Sequence, residues 1–129
     1  MSRVEKLLAT ARGLTERCRC PYSGFRVTAA VLCADGSVHR GVNVENASYG
    51  LTMCAERTAL FSAVAAGCGE VTDLLVYSPD GEPTPCGACL QVAAELGPSS
   101  MRVHMAGPDG CVETATLADL LPRSFSLKG

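Results

Sequence analysis

Two short motifs constrain this chain more than any other feature: Cys54-Ala55-Glu56 and, 32 residues after its first cysteine, Pro85-Cys86-Gly87-Ala88-Cys89. They supply three thiols and one carboxylate, with no obvious fourth ligand. Three thiolates suit Zn²⁺, and a tetrahedral ion held by three protein ligands keeps one position for water, as catalytic zinc does. Glu56 sits two residues after the first ligand. On a helix beginning at Cys54 its carboxylate reaches toward such a water to move protons without becoming a ligand.

The pattern along the chain says how these motifs are carried. Val4, Leu7, Leu8 and Ala11 recur at helical spacing, which predicts an amphipathic helix from Ser2 to about Cys18, ended by the Pro21-Tyr22-Ser23-Gly24 turn. Phe25 to Cys33 and Val38 to Val44 read as an antiparallel strand pair around Asp35-Gly36. Ala55, Ala59, Leu60, Ala63 and Val64 mark one face of a helix stopped by Gly67, with Cys54 at its first turn. Leu74 to Ser78 is a short apolar strand. Thr84 then reads as a helix cap and Pro85 as the first helical residue, with Ala88, Cys89, Val92, Ala93 and Leu96 as the apolar face. Met101 to Ala106 and Cys111 to Glu113 read as strands, and Thr116 to Leu121 as a short helix.

This order of elements predicts an α/β fold with a mixed sheet and helices on both faces, in three layers. Both cysteine motifs then lie at helix N-termini, where free N–H groups and the positive dipole end favour thiolate over thiol. Two neighbouring helix starts converge on one spot.

Size and charge narrow the partners. A chain of 129 residues, 47% hydrophobic, has the material for one core, so residues 1–129 are expected to form a single domain. A formal charge of −2 and a pI near 5.6 give no cationic footprint for nucleic acid. No stretch has the roughly 18 to 20 apolar residues needed to span a bilayer, and Met1 to Leu14 lacks the unbroken apolar run of a secretory signal. A soluble, cytoplasmic protein with no nucleic-acid or membrane partner is expected. Eight cysteines also fit a secreted disulfide scaffold, although such scaffolds are usually shorter and follow a signal. Cys18, Cys20, Cys33, Cys68 and Cys111 belong to no motif and read as small apolar residues in or near the core.

Other readings of the motifs stand beside the catalytic one. Cys86-Gly87-Ala88-Cys89 alone resembles a dithiol redox motif, which leaves Cys54 and Glu56 without a use. A closed structural zinc site would need a fourth cysteine such as Cys18, Cys20 or Cys68, and Cys54 lacks the close partner of a paired knuckle. A glutamate in a metal pocket can instead take a proton from water and pass it to a ring nitrogen and a departing amine. Three cysteines with a glutamate as acid and base match the known signature of the zinc deaminases.

Asn43-Val44-Glu45-Asn46-Ala47-Ser48-Tyr49-Gly50, Cys54-Ala55-Glu56-Arg57 and Pro85-Cys86-Gly87-Ala88-Cys89 stand in that order, and on them the chain resembles the small homotetrameric cytidine deaminases with a three-cysteine zinc site. The resemblance runs from Pro21-Tyr22-Ser23 to Leu120-Leu121-Pro122 with Phe125, and implies a cytidine deaminase-like α/β/α sandwich with a mixed five-stranded sheet. By that similarity Cys54, Cys86 and Cys89 hold one Zn²⁺ per chain and Glu56 is the proton shuttle. Asn43 and Glu45 grip ribose hydroxyls, Phe25 packs on the pyrimidine, and the Ala55 backbone reads the base edge. Ala47 to Tyr49 and Phe125 close a neighbour's site in a homotetramer. The implied activity is hydrolytic deamination of cytidine and 2′-deoxycytidine, a step of pyrimidine salvage; a carboxylate at the sugar favours a nucleoside over a nucleotide.

Charge compensation is the point of departure. Three thiolates and Zn²⁺ sum to −1, and by the resemblance Arg57 hydrogen-bonds the sulfurs. Many relatives carry a second arginine after the later cysteine pair, where this chain has Leu90. Arg26 and Arg123 are the alternatives, beside the two helix dipoles. Thr28 stands where relatives often have glycine, and Cys20 has no assigned role.

Overall fold

A computed structural model describes residues 1–127. Helix α1 (Arg3–Arg12) begins in a capping box, with Ser2 Oγ accepting from Glu5 N–H and the Glu5 carboxylate accepting from Ser2 N–H. Strands β1 (Thr28–Cys33) and β2 (Val38–Val42) form a hairpin whose turn places Gly36 at φ +88°, a conformation that glycine adopts without strain. Helix α2 (Ala55–Ala65), strand β3 (Val71–Tyr77), helix α3 (Gly87–Leu96), strands β4 (Arg102–Ala106) and β5 (Val112–Thr116), and helix α4 (Leu117–Leu120) complete the chain.

The five strands lie in the order β2-β1-β3-β4-β5. Neighbours are antiparallel except β3 and β4, which are parallel. A parallel pair needs a long crossover, and α3 supplies it. On one face α1 buries Leu7 and Ala11 against Ala30, Leu75, Tyr77 and Ala106. On the other, Ala55, Ala59, Leu60 and Ala63 of α2, with Leu90 and Ala93 of α3, cover Ala29, Val31, Val71 and Leu74. The mixed five-stranded, three-layer arrangement agrees with the sequence expectation. Each fully buried leucine, such as Leu60, contributes about 1.5 to 3 kcal/mol.

Alanine on α2 lets the helix lie close to the sheet. At Gly41 of β2 even a methyl group would overlap Thr58 and the Ala55 carbonyl. The start of α2 is therefore pressed against the outer hairpin, which fixes where Cys54 sits.

Four local expectations are corrected. The first helix stops at Arg12 rather than near Cys18, because Gly13, a weak helix former, takes the C-cap and Thr15–Arg17 form a separate 3-10 turn. Strand β1 begins at Thr28 and not at Phe25. The backbone N–H groups of Arg26 and Val27 bond the Asp80 and Asn43 side chains instead of a neighbouring strand. Helix α3 begins at Gly87, so Thr84 and Pro85 lie before the helix and Cys86 takes the cap.

The unassigned cysteines are the fourth correction, since they do not all sit in the core. Cys33 and Cys68 form a disulfide, Cys18 and Cys20 are half-buried, and Cys111 is exposed. A register shift at Leu32/Cys33 pairs Cys33 with Val71, just past the turn that carries Cys68. Thr28 has a structural use: its buried hydroxyl donates to the Ala11 carbonyl at 2.8 Å, tying β1 to α1.

Candidate active site

The strand register explains how distant residues meet. Thr28 pairs with both Val42 and Tyr77, so the segments just beyond these residues emerge side by side at one end of the sheet. They are Phe25 to Val27, Asn43 to Glu45, and Ser78 onward to Cys86. Helix α2 starts above them.

Cys54 and Cys86 are the N-caps of α2 and α3, and neither makes a side-chain cap bond. A cap position usually carries an oxygen that turns back to the helix N–H groups. Here each cap sulfur joins the other ligand candidates. The Cys54 and Cys86 sulfurs are 3.9 Å apart, those of Cys86 and Cys89 are 3.4 Å apart, and all three fall within 4.8 Å of one another. This is the one such cluster among the described residues. Cys68 is held in its disulfide, and Cys18 and Cys20 stand outside the group. Three soft donors with no fourth ligand grouped with them among the described residues fit Zn²⁺ in an open tetrahedral site.

Arg57 Nη2 donates to Cys54 Sγ at 3.5 Å. Hydrogen bonds from Cys89, Arg57 and Cys86 lower the Cys54 pKa, and sharing with Cys54 together with burial raises that of Cys89. Glu56 is 4% exposed, and burial raises its pKa to about 7, with the Cys54 charge adding to the effect. A carboxyl near neutrality can both take and give a proton.

A cleft of about 300 Å³ opens over this centre. Phe25, Asn43, Glu45, Cys54, Ala55, Glu56 and Cys86 all line it. Asn43 Nδ2 donates to the Phe25 carbonyl at 2.8 Å, and its Oδ1 accepts from Val27 N–H at 3.3 Å. Glu45 accepts from the backbone N–H groups of Tyr22 at 3.0 Å and Ser23 at 3.1 Å, and from the Ser23 hydroxyl. Those bonds, the hydroxyl's foremost, keep its carboxyl below the usual range.

Three sequence candidates lie apart from the cleft. Ala47 and Tyr49 are exposed, Tyr49 lining a neighbouring depression with Tyr22, Ser23 and Glu45. Phe125 is 69% exposed, its backbone N–H and carbonyl gripped by the Gln91 side chain at 3.2 and 2.9 Å. Val27, Met53 and Pro83 complete much of the apolar wall, and sequence reasoning did not single them out. It also missed Ser23 and Asp80, whose partners are far away in the chain. Arg26, one of the alternatives named for compensating the thiolates, has its guanidinium engaged by Asp80.

Comparison with known proteins points the same way as this geometry. Residues 1–105 match the family described as the cytidine and deoxycytidylate deaminase zinc-binding region. The chain is 46% identical to the cytidine deaminase of Halalkalibacterium halodurans over 95% of its own length and 93% of the relative's. It is 45% identical to that of Sporosarcina psychrophila, over 95% and 91%. The crystal structure of the cytidine deaminase from Burkholderia pseudomallei superposes with a TM-score of 0.89 at 46% identity, covering 97% of this chain and all of that one.

Proposed function

The chain belongs to the cytidine and deoxycytidylate deaminase family of zinc-dependent hydrolases, and on that premise we propose that it converts cytidine and 2′-deoxycytidine to uridine and 2′-deoxyuridine with release of ammonia. The observation that carries this reading is the convergence of three thiols and one buried glutamate on a single nucleoside-sized cleft. Neither a dithiol redox site nor a closed zinc site gives Glu56 a use.

Cys54, Cys86 and Cys89 hold the ion, which when bound supplies Lewis-acid activation of water at neutral pH. Glu56 accepts a proton at its carboxylate, delivers it to N3 of the base, and carries a second proton to the leaving amine. Phe25 packs on the pyrimidine and the Ala55 backbone reads its edge. Asn43 and Glu45 bind the ribose hydroxyls, so Glu45 exchanges part of its bonding to Ser23 for bonds to the sugar. The Glu45 carboxylate at that end of the cleft repels a phosphate and favours a nucleoside.

The whole chain, 1–129, acts as one catalytic domain in a homotetramer, with Ala47, Tyr49 and Phe125 completing a neighbour's site. Exposed Tyr49, Leu51, Phe61, Val64 and Phe125 support that assembly. The three free site thiols support a cytoplasmic place in pyrimidine salvage, against which the Cys33–Cys68 disulfide stands as the one oxidised pair among the described residues.

The test is loss of the cytidine absorbance band, followed with and without chelator beside a zinc count per chain. Glu56→Gln is expected to keep one zinc and lose about 10² to 10⁴ in turnover. Near-normal turnover in that variant, or chelator-insensitive activity, would remove the mechanism.

A further inference from the structure

Arg26 and Asp80 join the two walls of the cleft. Asp80 Oδ2 accepts from the Arg26 backbone N–H at 2.8 Å and from its Nε at 3.0 Å, while Oδ1 accepts from Nη2 at 2.8 Å. Arg26 directly follows Phe25. Asp80 belongs to the segment that runs through Pro83 and Thr84 to Cys86.

The Asp80 end of this clamp is rooted in the sheet. Its own N–H donates to Ser78 Oγ at 3.1 Å, Ser78 is fully buried, and the Ser78 N–H donates to the Ala106 carbonyl at 3.1 Å. Gly81, the next residue, lies against the Phe25 ring. A methyl group there would stand 2.9 Å from Cε2 and 3.2 Å from Cζ. Phe25 itself is 36% exposed, so core packing does little to set its ring. Ser23 and Asn43 fix its backbone, and Asp80 accepts from the backbone N–H of the next residue, Arg26.

A half-exposed ion pair adds little to global stability. What a bidentate arginine–carboxylate pair adds is direction. We infer that Asp80 is a positioning residue for the reaction: through Arg26 and Gly81 it presents the Phe25 ring to the base and couples that wall to the segment bearing Cys86. The inference rests on the role given to Phe25 in the proposed function. Without the clamp, substrate must itself order the Phe25 segment, a cost that falls equally on ground and transition states. KM then rises while kcat holds.

Asp80→Asn in the zinc-loaded enzyme is expected to raise the KM for cytidine about 10-fold with kcat within about 2-fold, and with zinc content and Tm unchanged. Arg26→Lys is expected to behave alike, because an ammonium cannot reproduce the fork. The two changes together are expected to be no worse than either alone. The chain has no tryptophan, so Phe25→Trp adds a single fluorophore whose anisotropy decay reports the ring directly. A held ring that gains a fast component on Asp80→Asn supports the clamp.

Unchanged KM and unchanged anisotropy in Asp80→Asn overturn it, as does a parallel loss of kcat, zinc and Tm, which makes Asp80 merely structural. If the parent enzyme fails to turn over cytidine, the functional reading fails. The anisotropy comparison still decides the clamp.

Discussion

Arg57 carries a charge problem that the chain solves with few groups. Three thiolates around Zn²⁺ leave one net negative charge, and Arg57 Nη2 lies 3.5 Å from Cys54 Sγ. Leu90, directly after Cys89, is buried in the core and offers no charge. Arg26 is engaged by Asp80. Arg57→Ala is therefore expected to weaken zinc binding about 10- to 100-fold, as loss of a group supporting metal ligands typically does. Competition against a chromophoric chelator measures this. Unaltered affinity would move the compensation to the two helix N-termini or to Arg123. At this scale the sequence marks the three cysteines and Glu56 that the fold brings together, because their spacing is itself chemical. It hides Asp80, since nothing local marks an aspartate whose partner lies 54 residues away.

Helix starts show where local preference gives way. Thr84 and Pro85 have the chemistry of a cap and a first helical residue. Yet α3 starts later, with Cys86 as its cap. The difference places Cys86 at the helix edge facing Cys54 and leaves Thr84 to line the cleft. Propensity sees only neighbours in the chain, and the position of the sulfur is set across the fold. The Cys33–Cys68 disulfide was equally hidden, because pairing depends on the irregular register at the end of β1. It ties that end to the segment following α2, the helix whose other end carries Cys54 and Glu56. A link spanning 35 residues removes unfolded-state entropy worth about 3 to 4 kcal/mol. Reductant is expected to lower Tm by on the order of 10 °C in the parent protein. Cys68→Ser should abolish that difference between oxidised and reduced samples, and a reductant effect that persists in the variant would place the sensitivity at other thiols.

Across the whole molecule, the two ends of one strand do different work. Strand β3 leads from its C-terminal end, through Ser78 and Asp80, into the Glu82, Pro83 and Thr84 stretch that lines the cleft, while Asp73 near its start anchors the layers. The alternation of strands and the alanine face of α2 made these layers legible in the sequence. A buried charge linking them was not, because Asp73 sits in a mostly apolar strand and its charged partners come from other elements. Asp73 is fully buried and bonded by Arg102 of β4 at 3.1 Å and by His104 at 2.7 Å, with Arg3 of α1 at 3.5 Å. His104 in turn meets the Thr114 hydroxyl of β5 at 2.8 Å. Burial alone would raise the Asp73 pKa, but the bonds from Arg102, His104 and Thr72 outweigh it and hold it at about 2, against 3.8 for a free aspartate. A carboxyl depressed in the folded state stabilises the fold above its unfolded pKa, and that contribution disappears as pH falls from about 4 through about 2. It amounts to about 2 kcal/mol. Denaturant titrations of Asp73→Asn and its parent at pH 7 and near pH 2 test it: the gap between the two proteins should be large at neutrality and shrink in acid by about that amount. A gap equally wide at both pH values would mean that Asp73 acts through shape and hydrogen bonding, with its charge contributing nothing.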